Sequence, residues 1–190
     1  MSAGAFATDF PRRRFTVDEV NRMVEDGILD EDEPVELLDG ELVVVSPQGP
    51  PHAALLAELH LRLTDAYRGM AHVRAQLPLD ARPYSLPEPD LAVVRGLARD
   101  FRDRHPNGGD VFLAVEIART SYAIDRKKAS LYGAGGVPVY WLVDLANRRL
   151  EVFSDPSTDM GFRQHLVLEP GAEVALPGVE VRWAVSELVD

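Results

Sequence analysis

Two uninterrupted apolar runs stand out along the chain, Leu91-Ala92-Val93-Val94 and Val111-Phe112-Leu113-Ala114-Val115-Glu116-Ile117-Ala118. Short runs rich in aliphatic and β-branched residues, bounded by turn formers such as Pro87, Pro89 and Gly108-Gly109, predict strands buried on both faces. Each carries one carboxylate: Asp90 at the start of the first and Glu116 inside the second. An ionised carboxylate is too costly to bury without compensation, so a metal ion or a strong cationic partner is expected beside them.

The rest of the pattern arranges elements around those strands. Residues 1–14 predict a flexible arm ending in Arg12-Arg13-Arg14. Thr16-Val17-Asp18-Glu19 has the form of a capping box, Val17, Val20, Met23 and Val24 repeat at helical spacing, and Gly27 ends the helix. Asp30-Glu31-Asp32-Glu33 predicts a solvated connector. Asp39-Gly40 between Val35–Leu38 and Glu41–Val45 predicts a hairpin with a two-residue turn. Alternation sets Glu36 on one strand face with Leu38 and does not decide which face is inside.

Residues 46–51 form a proline-rich loop before a helix predicted over His52–Arg68, whose stripe of Leu55, Leu56, Leu59, Leu63 and Tyr67 suits packing on a sheet. His52 and His60 are expected as packing or surface histidines. A strand follows over Val73–Leu79, in which Gln76 is expected as a buried amide satisfied by backbone and is a weaker candidate for the edge of a site. A polar connection from Arg95 to Asp110 has room for a helical turn. A helix over Tyr122–Gly133 between the strand of Glu116 and a strand over Val137–Val143 predicts a parallel crossover. Strands over Leu150–Phe153, Phe162–Leu168 and Val179–Trp183 and a short final helix complete the pattern.

The crossover helix adds the cation. Ile124, Leu131 and Tyr132 are expected to face the sheet, and Lys128 shares that face while Lys127 turns away. A lysine aimed into a core keeps its proton only beside carboxylates. Asp90, Glu116, Lys128 and, from the hairpin, Glu36 therefore form a candidate site able to hold Mg²⁺, with the ammonium orienting or helping to deprotonate a water. Phosphodiester hydrolysis uses these parts. A structural ion cluster of Lys128 with Glu116 or Asp90 meets the same spacing.

Composition narrows the class. The chain has 190 residues, 46% of them hydrophobic, enough for one core and hence one domain over residues 15–190. It has no cysteine, which excludes disulfides, thiolate nucleophiles and zinc–thiolate sites. No apolar run is long enough to span a bilayer and the first residues lack a signal-peptide core, so a cytoplasmic protein is expected. A net charge of -11 argues against a passive nucleic-acid coat but not against an enzyme on nucleic acid, because metal-binding carboxylates themselves add negative charge.

The order of residues resembles the Uma two family of restriction-endonuclease-like proteins, within the wider PD-(D/E)XK nuclease group. The resemblance rests on Val35–Leu42, Ser46-Pro47 with His52, Gln76–Leu79, Glu88-Pro89-Asp90, Val115-Glu116-Ile117, Asp125–Lys128, Tyr132 and Gly136–Asp144, and covers about Phe15 to Phe153. It implies an α/β fold with a central mixed sheet flanked by helices, a restriction-endonuclease-like core and a β-rich C-terminal part. It also implies Mg²⁺-dependent (or Mn²⁺-dependent) hydrolysis of DNA by a homodimer, with Asp90 and Glu116 as metal ligands, Glu36 as a further ligand or base, and Lys128 positioning the water. In the wider group the lysine lies two residues beyond the acidic one, where this chain has Ala118. The segment Asp125–Tyr132 is one residue shorter than the family pattern, which leaves Lys127 as an alternative occupant of the lysine role. A non-catalytic DNA-binding or assembly protein keeping the fold is the rival reading, and a hydrolase of small phosphate esters, marked by a closed pocket, is a second.

Overall fold

The computed structural model describes residues 11–45 and 47–189. Residues 1–10 of the expected arm, Ser46 of the proline-rich loop and Asp190 lie outside the described residues. Arg12, Arg13 and Arg14 are described and pair with Glu41, Glu19 and Asp39.

Helix α1 (Val17–Glu25) begins at the capping box: the Thr16 hydroxyl accepts from the Glu19 N–H, and the Glu19 carboxylate accepts from the Thr16 N–H at 3.0 Å. Strands β1 (Val35–Leu38) and β2 (Glu41–Val44) form the hairpin, with Asp39 and Gly40 both at positive φ, 51° and 82°, as a type I′ turn requires. Helix α2 (Pro50–Ala66) starts two residues before His52, because Pro50 and Pro51 occupy first-turn positions whose N–H groups have no helical acceptor.

Six strands make the central sheet: β3 (Ala71–Ala75), β4 (Leu91–Arg95), β5 (Val111–Ala118), β6 (Val139–Asp144), β7 (Arg149–Ser157) and β8 (Gly161–Leu168). They lie in the order β3-β4-β5-β6-β7-β8, with β5 and β6 parallel across helix α3 (Tyr122–Ala134) and all other neighbours antiparallel. The fold is thus α/β, a mixed sheet with helices on both faces. β3 ends sooner than alternation predicts, because Gln76 adopts φ 52° and leaves the ladder. Near the C-terminus β9 (Glu173–Ala175) pairs with β10 (Arg182–Ala184), followed by α4 (Ser186–Val189). The strand expected over Val179–Trp183 is displaced toward Ala184, and its partner β9 was not expected.

Strand alternation divides the core in two. Leu91, Val93, Leu113, Val115 and Trp141 point to the face covered by Leu59, Leu63 and Tyr67 of α2 and by Trp183, Val185 and Leu188. Ala92, Ala114, Ala118, Tyr140 and Leu142 point to the other face, covered by Ala129 and Tyr132 of α3. Helix α3 approaches β8 closely: a Cβ on Gly133 would lie 1.9 Å from the Gly161 carbonyl oxygen, so only glycine permits this packing. No helix among the described residues is long and apolar enough to cross a membrane.

Candidate active site

The register of β4 and β5 pairs Leu91 with Val115, so one step beyond the ladder Asp90 comes opposite Glu116 on the α3 face. Their side chains replace the missing backbone pairing. The Asp90 N–H donates to Glu116 Oε2 at 3.3 Å, and the Ile117 N–H donates to Asp90 Oδ2 at 2.8 Å. Three further donors reach Asp90: His52 Nε2 at 2.8 Å from Oδ2, and Gln48 Nε2 and Gln76 Nε2 at 3.1 and 3.5 Å from Oδ1.

Lys128 reaches the same centre from α3. Its ammonium donates to Glu116 Oε1 at 3.0 Å and to Glu36, whose oxygens lie 2.9 and 3.0 Å away. Tyr132, one turn along, donates its hydroxyl to Glu116 Oε1 at 2.7 Å. Glu36 is buried on β1 and also accepts from the Glu88 N–H at 3.3 Å. Asp90, Glu116, Glu36 and Lys128 floor an open cleft of about 840 Å³, walled by the β1–β2 hairpin, the start of α2 and residues 117–125.

Two expectations on α3 need correction. Ile124 is exposed at 42% and Leu131 only half-buried, so the inward face is not the apolar stripe expected. It is Asp125, Lys128, Ala129 and Tyr132, spaced i, i+3, i+4 and i+7, a polar face that the carboxylates of the sheet make inward. Lys127 is exposed on the outside of the helix. His52 is likewise not a mere packing residue, since it holds Asp90, and Gln76 turns to the cleft instead of spending its amide within a strand.

The Uma2 family model, described as "Putative restriction endonuclease", matches residues 17–186, which is most of the chain. The chain belongs to this family. No curated protein matches the sequence. A crystal structure of a "putative nuclease belonging to DUF820" from Anabaena variabilis shares the fold, with a TM-score of 0.74 at 20% identity over 92% of this chain and 97% of that one.

The Uma2 site collects more negative than positive charge. Burial pushes the Glu116 carboxyl well above its ordinary range; the Lys128 ammonium pulls it down, but Asp90, Asp125 and Glu36 add to the rise. Burial raises Asp125 to about 6 against the lowering effects of Ser121 and Lys128, and burial followed by repulsion from Glu36 raises Glu88. Burial alone would lower Lys128, yet Glu116, Glu36 and Asp125 together outweigh it, so the lysine stays cationic.

Among the described residues no group of three or more His, Asp or Glu side chains is arranged to hold a metal ion. Mg²⁺ needs fewer, since it commonly takes one or two carboxylates and fills its shell with water and phosphate oxygens. The all-oxygen donors of Asp90 and Glu116, beside uncompensated negative charge, fit such an ion in chemistry.

Asp125, His52, Gln48 and Glu88 were missed in the sequence as members of the site. Asp125 was within reach, three residues from Lys128 on the same helical face. The other three come from loops and a helix start, where no periodicity points.

Asp125 makes the apo protein sensitive to pH. Its folded pKa stands above the ordinary value near 4, so its contribution to stability is full below about pH 4 and is lost as pH rises through about 6. The loss is at most about 3 kcal/mol. Asp125→Asn should flatten the fall in stability between pH 4 and 7, read by urea unfolding; an unchanged slope in the variant would contradict this assignment.

Proposed function

We propose that the protein is a Mg²⁺-dependent endonuclease that hydrolyses DNA phosphodiester bonds, with residues 15–190 acting as one endonuclease-like unit. The observation that carries this reading is the convergence of Asp90, Glu116, Glu36 and Lys128 on the floor of an open cleft in a chain of this family. Asp90 and Glu116 would hold the ion, with Glu36 a further ligand or a base, and Mn²⁺ would serve in place of Mg²⁺.

When bound, the ion supplies Lewis-acid stabilisation for negative charge building on the phosphoryl oxygens. The chain's own groups do the rest. Lys128, held protonated by Glu116 and Glu36, cannot act as a base and instead donates a hydrogen bond that orients the attacking water. Glu36, beside that ammonium, accepts the water's proton. The water oxygen bonds to phosphorus as one P–O ester bond breaks, and the leaving oxygen takes a proton from solvent. His52, Gln48 and Gln76 keep Asp90 from turning away from the cleft. A homodimer in the cytoplasm belongs to the same proposal.

A non-catalytic DNA-binding protein of the same fold is supported by one observation: the ammonium already occupies the centre between Glu36 and Glu116. Incubation with supercoiled, linear and single-stranded DNA separates the two readings. Cleavage that appears with Mg²⁺ or Mn²⁺ and disappears with EDTA supports the enzyme. Absence of cleavage on every substrate with either ion contradicts it.

A further inference from the structure

Charge sets a problem that the carboxylate site does not answer. The lining of the cleft carries Glu36, Glu88, Asp90, Glu116 and Asp125, and the chain as a whole bears a net charge of -11. A nucleic acid approaching this mouth meets its own sign of charge, and a free cationic side chain at the rim, beyond the ion held deeper, would offset that repulsion.

Three cationic or potentially cationic side chains line the cleft: His52, Arg119 and Lys128. His52 is buried and committed to Asp90 at 2.8 Å. Lys128 is buried and committed to Glu36 and Glu116. Arg119 is exposed, and among the described residues none hydrogen-bonds to it, pairs with it or stacks on it. Arg14, Arg62, Arg95, Arg104, Arg126 and Arg149 are each held over an aromatic ring, and the exposed Arg99, Arg102 and Arg182, which like Arg119 have no such partner among the described residues, lie outside the cleft.

Its base is firmly placed. Arg119 follows β5 directly, three residues beyond Glu116, and the preceding Ala118 is buried with its carbonyl accepting from the Leu145 N–H at 2.9 Å. The guanidinium thus leaves a fixed stem at the rim, close in sequence to the carboxylates, and its planar fork suits two oxygens of one phosphate.

We propose that Arg119 is a positioning residue that receives a phosphate of the nucleic-acid substrate at the mouth of the cleft. The proposal rests on the nuclease reading and specifies where the substrate backbone enters. It touches a phosphate that is not the one hydrolysed, because the reacting phosphate lies deeper, at Asp90 and Glu116.

Fluorescence anisotropy of a labelled short DNA duplex, with Ca²⁺ supplying divalent charge, tests it over a range of salt concentrations. Arg119→Ala should bind several-fold more weakly at low salt, and the slope of log affinity against log salt should fall by about 1, the signature of one lost phosphate contact. Arg119→Lys should keep the slope. Arg182→Ala, which removes an exposed arginine of β10 outside the cleft, should change neither, and thermal unfolding should show all three variants folded. Binding by Arg119→Ala with the affinity and slope of the unsubstituted protein overturns this inference alone. If the unsubstituted protein neither binds nor cleaves DNA, the nuclease reading falls and Arg119 with it.

Discussion

Lys128→Met is expected to abolish hydrolysis and to destabilise the protein at neutral pH by about 3–5 kcal/mol, the range for removing one partner of a buried ion pair. The methionine fills the space of the lysine stem, so packing is conserved. The charge is not. Glu36 and Glu116 are both buried and both bonded to the Lys128 ammonium, and without it two carboxylates face each other with no cation. Packing of the methionine stem alone would largely spare the fold, but the two buried ion pairs of the ammonium, with Glu36 and with Glu116, are lost together and outweigh it.

The loss should depend on pH with a definite sign. Removing the ammonium takes away the charge attraction that lowers Glu116, so its folded pKa rises further above the unfolded value. A carboxyl shifted upward stabilises the fold while protonated, and that contribution disappears as pH rises through the folded value. Urea unfolding should therefore find the variant closer to the unsubstituted protein at pH 5 than at pH 8, and adding Glu36→Gln should recover part of the loss. Lys127→Met, on the exposed side of α3, should stay within about 0.5 kcal/mol and keep its activity. Loss of hydrolysis with Lys127→Met and survival with Lys128→Met would transfer the lysine role to Lys127.

Asp90→Asn is expected to lower hydrolysis by about a thousandfold or more, the equivalent of several kcal/mol of lost charge stabilisation, and to remove Mg²⁺ binding measured by calorimetry. The fold should tolerate it. The asparagine oxygen can still accept from the Ile117 N–H and His52, and its amide nitrogen can donate to the oxygens of Gln48 and Gln76 once those amides turn over. Loss of one negative charge beside Glu116 also relieves repulsion, so apo stability should be unchanged or raised. Equal Mg²⁺ affinity in variant and unsubstituted protein would remove Asp90 from the ligand set.

The chain's own pattern determined most of the elements and pointed to the Asp90, Glu116 and Lys128 that meet at the centre of the candidate site. Capping at Thr16, the Asp39-Gly40 turn and the apolar runs around Asp90 and Glu116 are local effects, decided by neighbours within a few residues, and the structure has them where the pattern sets them. Helical spacing likewise separated buried Lys128 from exposed Lys127, because side-chain direction on a helix depends only on position along it. The inward face of α3 was only half legible: Tyr132 is inside, but Asp125 takes the place expected for Ile124, since what a helix buries depends on the surface it meets, here a sheet face bearing carboxylates. Whether Glu36 faced the core was undecidable from alternation and was settled by where the hairpin sits against Lys128. His52, Gln48 and Gln76 lie 38, 42 and 14 residues from Asp90, and nothing in a one-dimensional pattern couples them to it. Their convergence is a property of long-range packing, in which α2 and the turn after β3 are carried to the open end of β4 by the core beneath them.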